Sequence, residues 1–465
     1  MKHLLWLPLV LLCLSAGAQN KGGALPKLSA FTRQYLTKCS LQQEKNGLIP
    51  SYVYKNINNK PYISAFIKVN NTLDVARIDS LGVLVGTKAG SIWTVQIPLN
   101  SVQPLTAVAG ISYIDLDVPV YPLLDSARKE TKADSAQMGI NLPASMTGSN
   151  VIVGIIDAGF DFTHPTMYDT TYTTSRVKRV WLQKYSGTPP AGFSYGKELT
   201  STAAILRQGY DTAVLSHGTH VTGIAGGSGY GSNNANNKYR GMSYESDLAM
   251  VAIMPAPSEW EVAGESDIID GINYIFTYAA SVGKPAVVNL SWGSSIGPHD
   301  GASIFSEACD SLTGPGKIFV CAAGNNGEDT IHLQKTFTPT DTSVSTFVTF
   351  SPYLSTSQQQ TWVDVWGDTT NTFCLNIRLF DTTSVTDSTG WLCIMDSSYT
   401  FNLVGSDGDT VFATVSTEIN ALNNKPHALV YLFSHTTNNI CLTTQAYGGT
   451  VNMWEGYVLP PEGYY

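Results

Sequence analysis

The stretch Val151-Ile152-Val153-Gly154-Ile155-Ile156-Asp157-Ala158-Gly159 decides the fold. Six residues without a charge, rich in β-branched side chains, end abruptly at Asp-Ala-Gly. An unbroken apolar run of this length suits a strand buried on both faces, the habit of parallel sheets. Three further runs share the texture: Leu248 to Ile253, Ala286 to Leu290 and Ile318 to Ala322. Helical spacing lies between them. Ile268, Ile269, Ile272, Ile275, Phe276, Ala279 and Ala280 form one apolar stripe, ended by Lys284-Pro285, and Ile304, Phe305, Ala308, Cys309 and Leu312 form another. Strands alternating with helices predict an α/β domain built on a doubly wound parallel sheet, over residues 138–330.

The chain on either side reads differently. Upstream, Tyr62 to Val69, Ile92 to Ile97 and Ile111 to Asp115 read as strands, and Leu73 to Leu81 and Val102 to Val108 as short helices. This predicts a small α+β domain at 61–124, after an amino-terminal extension at 19–60 and before an exposed linker at 125–137. Downstream, residues 331–455 are rich in Thr, Ser, Asp and Asn. Short alternating runs (Thr346 to Phe350, Thr361 to Trp366, Cys374 to Phe380, Thr410 to Val415, Ala428 to Phe433) are separated by turn signals such as Gly405-Ser406-Asp407-Gly408-Asp409. That texture predicts a β-rich, sandwich-like insert, with 456–465 starting a return to the α/β domain.

Composition narrows the function classes. The 465 residues are 43% hydrophobic and 14% charged, as expected of a cored globular protein, and the formal net charge of -9 argues against a nucleic-acid partner. Lys2 and His3 precede the apolar run Leu4 to Leu14, and Ala16-Gly17-Ala18 offers a small-residue cleavage site. Residues 1–18 therefore read as a secretory signal peptide, too short for a membrane helix of ~20 apolar residues. No second long apolar stretch predicts a membrane span. Periplasm, cell surface and medium are equally compatible destinations. Of seven cysteines, Cys13 leaves with the signal. Cys374 with Cys393 is the pairing expected of the rest, while Cys309 and Cys321 sit in core-like patterns that suit small buried hydrophobes as well as a disulfide. The absence of any C-x-x-C pair leaves a zinc site without support.

Three segments of the α/β domain carry chemistry. Asp157 stands just past the carboxyl end of a buried strand, the edge where open α/β sheets build sites. A carboxylate there can orient an imidazole and stabilise its charged form; it can equally cap the turn before Gly159. His217-Gly218-Thr219-His220-Val221-Thr222-Gly223 opens a helix of small residues, the crowded, rigid mount a general base needs. His220, on the same helix, reads as a packing or hydrogen-bonding residue. Ala322-Ala323-Gly324-Asn325 ends the fourth strand, from which the Asn325 amide can donate to a developing oxyanion, or simply make a turn before Gly327.

Together these segments resemble the subtilisin-like serine proteases (subtilases), whose triad runs Asp, then His, then Ser along the chain. The resemblance implies Asp157 as the imidazole-orienting acid, His217 as the general base and Asn325 as the oxyanion-hole donor. Val288-Asn289-Leu290-Ser291-Trp292-Gly293 matches the family's substrate-pairing strand, which implies that Ser291, Trp292 and Gly293 line the non-primed pockets. His164-Pro165 fits the stretch after the acid, in a structural role. The α+β domain looks like the family's propeptide, an intramolecular chaperone and inhibitor; a permanent accessory domain is the other reading. The substrate class implied is protein or peptide. No cofactor is required. Calcium is frequent in the family, but no acidic loop here reads as a site for it.

The sequence also departs from the family. Its nucleophile sits in a Gly-Thr-Ser-Met-Ala-x-Pro segment, yet Gly-Thr occurs only at Gly86-Thr87, Gly187-Thr188, Gly218-Thr219 and Gly449-Thr450, never before Ser. The family's last strands and serine-bearing helix would also follow Asn325. The simplest expectation is a carboxyl-truncated piece of a longer secreted endopeptidase, inactive by itself, with an open sheet edge. A peptide-binding relative without chemistry, or a binding protein acting through the insert with its Trp362 and Trp366, are the alternatives.

Overall fold

A computed structural model describes residues 27–41, 49, 52–118, 121–122, 131–213, 215–231, 239–254, 263–350, 359–381, 384–436 and 438–457. The expected signal peptide, Cys13, residues 125–130 of the expected linker and residues 458–465 lie outside them.

The amino-terminal unit begins earlier than the sequence suggested. Helix α1 (Ala30–Leu41) and strand β1 (Tyr54–Ile57), expected to be an extension, belong to it. Strands β2 (Lys60–Val69), β3 (Leu84–Ala89), β4 (Ile92–Pro98) and β5 (Ile111–Leu116) complete an antiparallel sheet, in which β2 pairs with β1, β4 and β5. Helices α2 (Val75–Ser80) and α3 (Val102–Leu105) are shorter than the apolar patterns that announced them. A two-residue strand, β6 (Tyr121–Pro122), follows. Helix α4 (Ala133–Gln137) then corrects the linker reading. Gln137 is buried and donates to the carbonyls of Gly241 and Met242, so this end of the stretch is anchored on the α/β unit.

The α/β unit holds β7 (Ile152–Asp157), β8 (Val177–Leu182), β9 (Lys197–Leu199), α5 (Thr202–Gln208), α6 (His217–Gly226), β10 (Asp247–Ala252), α7 (Glu265–Ser281), β11 (Ala286–Leu290), β12 (Trp292–Gly293), α8 (Ile304–Leu312) and β13 (Lys317–Cys321). Six strands form one sheet in the order β13-β11-β7-β10-β8-β9, parallel throughout except for β9. Every residue of β7 is buried. Gly154 lets α7 come close: a Cβ there would lie 2.7 Å from the Ile275 side chain. Strand β8 escaped the sequence reading because Lys178 and Arg179 interrupt its apolar run. Strand β13 corrects the opposite way. Read as buried, it is the outermost strand, with Ile318 52% and Val320 49% exposed. Cys321 is likewise exposed and Cys309 half-buried, and neither is paired. Among the described residues β13 is the outer strand of this sheet.

The insert is a sandwich. One sheet runs β14 (His332–Thr336), β24 (Thr450–Tyr457), β16 (Gln359–Trp366), β22 (Pro426–Ser434), β21 (Thr410–Ile419), β20 (Ser397–Val404). The other runs β15 (Ser343–Val348), β23 (Asn439–Gln445), β17 (Cys374–Phe380), β18 (Val385–Ser388), with β19 (Leu392–Cys393) also on β17. A Cys374–Cys393 disulfide joins β17 to β19. Residues 456–457 finish β24 rather than begin a return segment. Trp362 and Trp366 are core residues, each 5% exposed.

The amino-terminal unit is wedged between the other two. Phe66, Ala89, Ile92 and Tyr113 share a core with α7 and the parallel sheet, while Phe31, Tyr35 and Tyr52 share another with Trp362, Leu429 and Tyr431 of the sandwich. Lys55 reaches Asp267 of α7 at 2.5 Å, with Lys184 on the same carboxylate at 3.1 Å. Asp117, just past β5, caps α7 from outside, accepting from the Ser266 N–H at 3.0 Å and from its hydroxyl. This cap replaces one that Gly264, without a side chain, cannot supply.

Burial pushes the Asp117 carboxyl up to about 7, with the Asp267 charge adding to the effect and the Ser266 bonds opposing it. A folded-state value raised above the unfolded one near 4 gives stability that is complete below pH ~4 and lost as pH rises through about 7. Asp117→Asn should therefore gain stability relative to the natural protein, on the order of 2 kcal/mol, between pH 5 and pH 8. Urea unfolding at both pH values tests this; a difference that does not change with pH contradicts it.

Candidate active site

The carboxyl rim of the parallel sheet brings Asp157, His217 and Trp292 together. In β7, Ile156 pairs with Leu290 of β11, and Leu290 pairs with Cys321 of β13. Asp157, Ser291 and Ala322 thus leave the sheet at one level, and the Ala322 N–H donates to the Leu290 carbonyl at 3.0 Å.

Asp157 is fully buried, and its Oδ1 lies 2.7 Å from His217 Nδ1. Two more donors meet the same oxygen: the Ala158 N–H at 2.7 Å and the Trp292 indole N–H at 3.0 Å. Burial raises the Asp157 pKa, and the bonds from His217 and Trp292 hold it back. His217 is the first residue of α6 and is partly exposed, its side chain at 22%. With Nδ1 held by the carboxylate, Nε2 is the nitrogen left to act as a base.

The geometry is fixed by bonds that staple the turn after Asp157 to the first turn of α6. Gly218 N–H donates to Ala158 O at 2.7 Å and Thr219 N–H to Gly159 O at 2.9 Å. The Thr219 hydroxyl donates to Gly159 O and accepts from Asp161 N–H. Two glycines permit the approach. Gly159 has φ +82°, and a Cβ on Gly218 would stand 2.9 Å from the Ala158 carbonyl oxygen.

Asp211 lies behind this turn, and sequence reading passed over it. Fully buried, it accepts from the N–H groups of Gly159 at 2.9 Å, Phe160 at 2.6 Å and Thr212 at 2.8 Å. Burial pushes its carboxyl up to about 7 against those bonds. An aspartate six residues before His217 was its only trace in the sequence.

The other predicted residues are placed as follows. Ser291 is buried, and its hydroxyl accepts from the Asn289 amide at 3.1 Å. Trp292 is 2% exposed, so its side chain faces Asp157 rather than lining an open pocket. The backbone of Trp292 and Gly293 pairs antiparallel with β6, Trp292 opposite Pro122 and Gly293 opposite Tyr121. Asn325 lies four residues past β13, is exposed and precedes a 3-10 turn at Asn326–Glu328, and it makes no hydrogen bond to Asp157 or His217 among the described residues. His220 is exposed rather than packed. His164 Nδ1 accepts from the Thr166 N–H, a structural role. Among the described residues no cluster of three or more His, Cys, Asp or Glu is arranged for a metal ion.

Asp211→Ala would strand three buried N–H donors at ~1–3 kcal/mol each. We expect a loss of about 3 kcal/mol or more in urea unfolding, and a smaller loss for Asp211→Asn, which keeps one acceptor oxygen. A change within ~0.5 kcal/mol, ordinary for a surface position, would contradict the role given to Asp211.

A family model described as the Subtilase family matches residues 148–442. The PI-type proteinase of Lactococcus lactis subsp. cremoris is 23% identical over 328 residues, covering 68% of this chain and 15% of that protein. Proteinase T of Parengyodontium album is 31% identical over 123 residues, 26% of this chain and 36% of that one. The chain thus spans only a minor part of the curated relatives it matches. Among solved structures, the Clostridium perfringens CspB protease superposes with a TM-score of 0.55 at 19% identity, covering 71% of this chain and 66% of that one, a likeness of fold. With the family model matched over more than half its length, and an Asp–His pair at the rim of a parallel sheet, the chain belongs to the subtilase family.

Proposed function

We propose that the protein is part of an exported serine endopeptidase that hydrolyses protein or peptide substrates. The observation that carries this reading is the 2.7 Å contact between Asp157 Oδ1 and His217 Nδ1 at the sheet rim. In the reaction His217 Nε2 takes the proton of an attacking serine hydroxyl and later returns it to the leaving amine. Asp157 holds the ring and stabilises its charged form. Asn325 donates its amide to the oxyanion. The substrate lies as an added strand along Ser291, Trp292 and Gly293. The pairing of Tyr121 and Pro122 with Trp292 and Gly293 supports that last role, because it shows this backbone accepting an extended segment.

The same pairing underlies a role for the amino-terminal unit as intramolecular inhibitor and folding partner, since β6 lies where a substrate strand would. The signal-like residues 1–18 underlie export. No helix among the described residues is long and apolar enough to cross a membrane.

No Gly-Thr pair among the 465 residues precedes a serine, so none of them matches the family's nucleophile segment. We therefore expect the purified 465-residue protein to resist fluorophosphonate labelling. Labelling of any serine at this site would overturn the account of the nucleophile. Where the reading frame runs on past Tyr465 into a Gly-Thr-Ser segment, the extended protein should label, and His217→Ala should abolish it. A reading frame that stops there, with peptide binding along β12, would favour the second reading that the same β6 pairing supports, a peptide-binding relative without chemistry.

A further inference from the structure

Trp292 has two faces in this site. Its backbone, in β12, pairs with an extended segment opposite Pro122. Its indole is 2% exposed and donates to Asp157 Oδ1 at 3.0 Å. That oxygen is also the one His217 Nδ1 contacts. The other carboxylate oxygen, Oδ2, is buried and has no hydrogen-bond partner among the described residues. Ala158, next to the acid, has only its main-chain N–H to offer. The indole is therefore the one side-chain donor besides His217 on this carboxylate among the described residues.

We propose that Trp292 is a positioning residue for the Asp157–His217 pair: its indole N–H fixes the carboxylate and shares the oxygen that holds the imidazole, while its main chain holds the strand docked in the cleft. Two consequences follow. A carboxylate held by the indole cannot turn about its Cβ–Cγ bond to offer Oδ2 to the ring, so His217 keeps a single orientation. Donation by the indole also withdraws negative charge from Oδ1, which leaves less to stabilise a charged imidazole. The direction in which the Asp157 carboxyl is shifted agrees, since burial raises it and the indole is among the groups that lower it.

The inference rests on the reading of Asp157 and His217 as an acid–base pair, and the test separates the two. Nitrogen-15 NMR of the histidine rings in the full chain follows the pH at which His217 takes up a proton. Trp292→Phe removes the donor and keeps an aromatic ring. Replacing Trp292 with benzothienylalanine, which exchanges the indole N–H for sulfur at nearly constant volume, is decisive if the phenylalanine variant folds poorly. In both, the His217 midpoint should rise by roughly half a pH unit or more, because Oδ1 recovers charge. In Asp157→Asn it should fall. Asp161, Asp211 and His220, the titratable residues on the turn, the loop and the helix beside the pair, are unchanged in every variant. A midpoint that falls in Asp157→Asn yet stays put in both Trp292 variants overturns the positioning role and leaves the pair intact. A midpoint indifferent to Asp157 as well overturns the pair.

Discussion

A carboxylate with no exposed surface, at the end of a central strand, has to be partnered or it destabilises the fold. Asp157 is that group, and its partners come from three places: the chain immediately after β7, the first residue of α6, and β12 beyond the neighbouring strand. Each donor repays part of a desolvation cost of several kcal/mol per buried ion. The same requirement ties the turn, α6 and β12 into one rigid corner. Asp211 extends the logic one layer deeper, collecting the N–H groups that the turn cannot satisfy within itself.

An imidazole between carboxylates is not enough to make a base, as a second site in the same molecule demonstrates. His427 of the sandwich has Glu418 at 3.0 Å on Nδ1 and Asp364 at 2.6 Å on Nε2, and Trp366 stacks on its ring. Burial alone would push its pKa down, but Asp364 and Glu418 push it up to about 9. Both nitrogens are occupied and the ring is charged at neutral pH, so it cannot accept a proton from anything. Its work is structural. Arg33 of α1 reaches Glu418 at 2.7 Å and the Gly297 N–H reaches Asp364 at 2.7 Å, which brings all three units of the protein to one buried network. His217 differs in that, among the described residues, only its Nδ1 meets a carboxylate, and its side chain is partly exposed.

Much of this corner was legible in the sequence, and the reasons are physical. Residues 151–159 announce a doubly buried strand because a parallel sheet tolerates nothing else there, and the His217 helix announces itself because close packing demands small residues. The apolar spacing of α7 likewise reads directly as a buried stripe. What stayed hidden depended on partners distant in the chain. Ile318 and Val320 have the composition of core residues, yet they lie exposed on β13, the outer strand of the sheet among the described residues. Residues 28–57 carry a mixed pattern because α1 packs simultaneously on its own sheet and on Trp362, Leu429 and Tyr431, some 330 residues or more away along the chain. Trp292 was read through its backbone neighbours, whereas its indole answers to a carboxylate 135 positions earlier.

The account stands on which nitrogen of His217 carries the proton when the ring is neutral. Nitrogen-15 NMR of the imidazole reports this tautomer directly. With Asp157 accepting from Nδ1, the neutral ring should be protonated at Nδ1 and bare at Nε2, the state required of a base facing the cleft. A neutral His217 protonated at Nε2, with Nδ1 bare, would contradict the pairing on which the site is built.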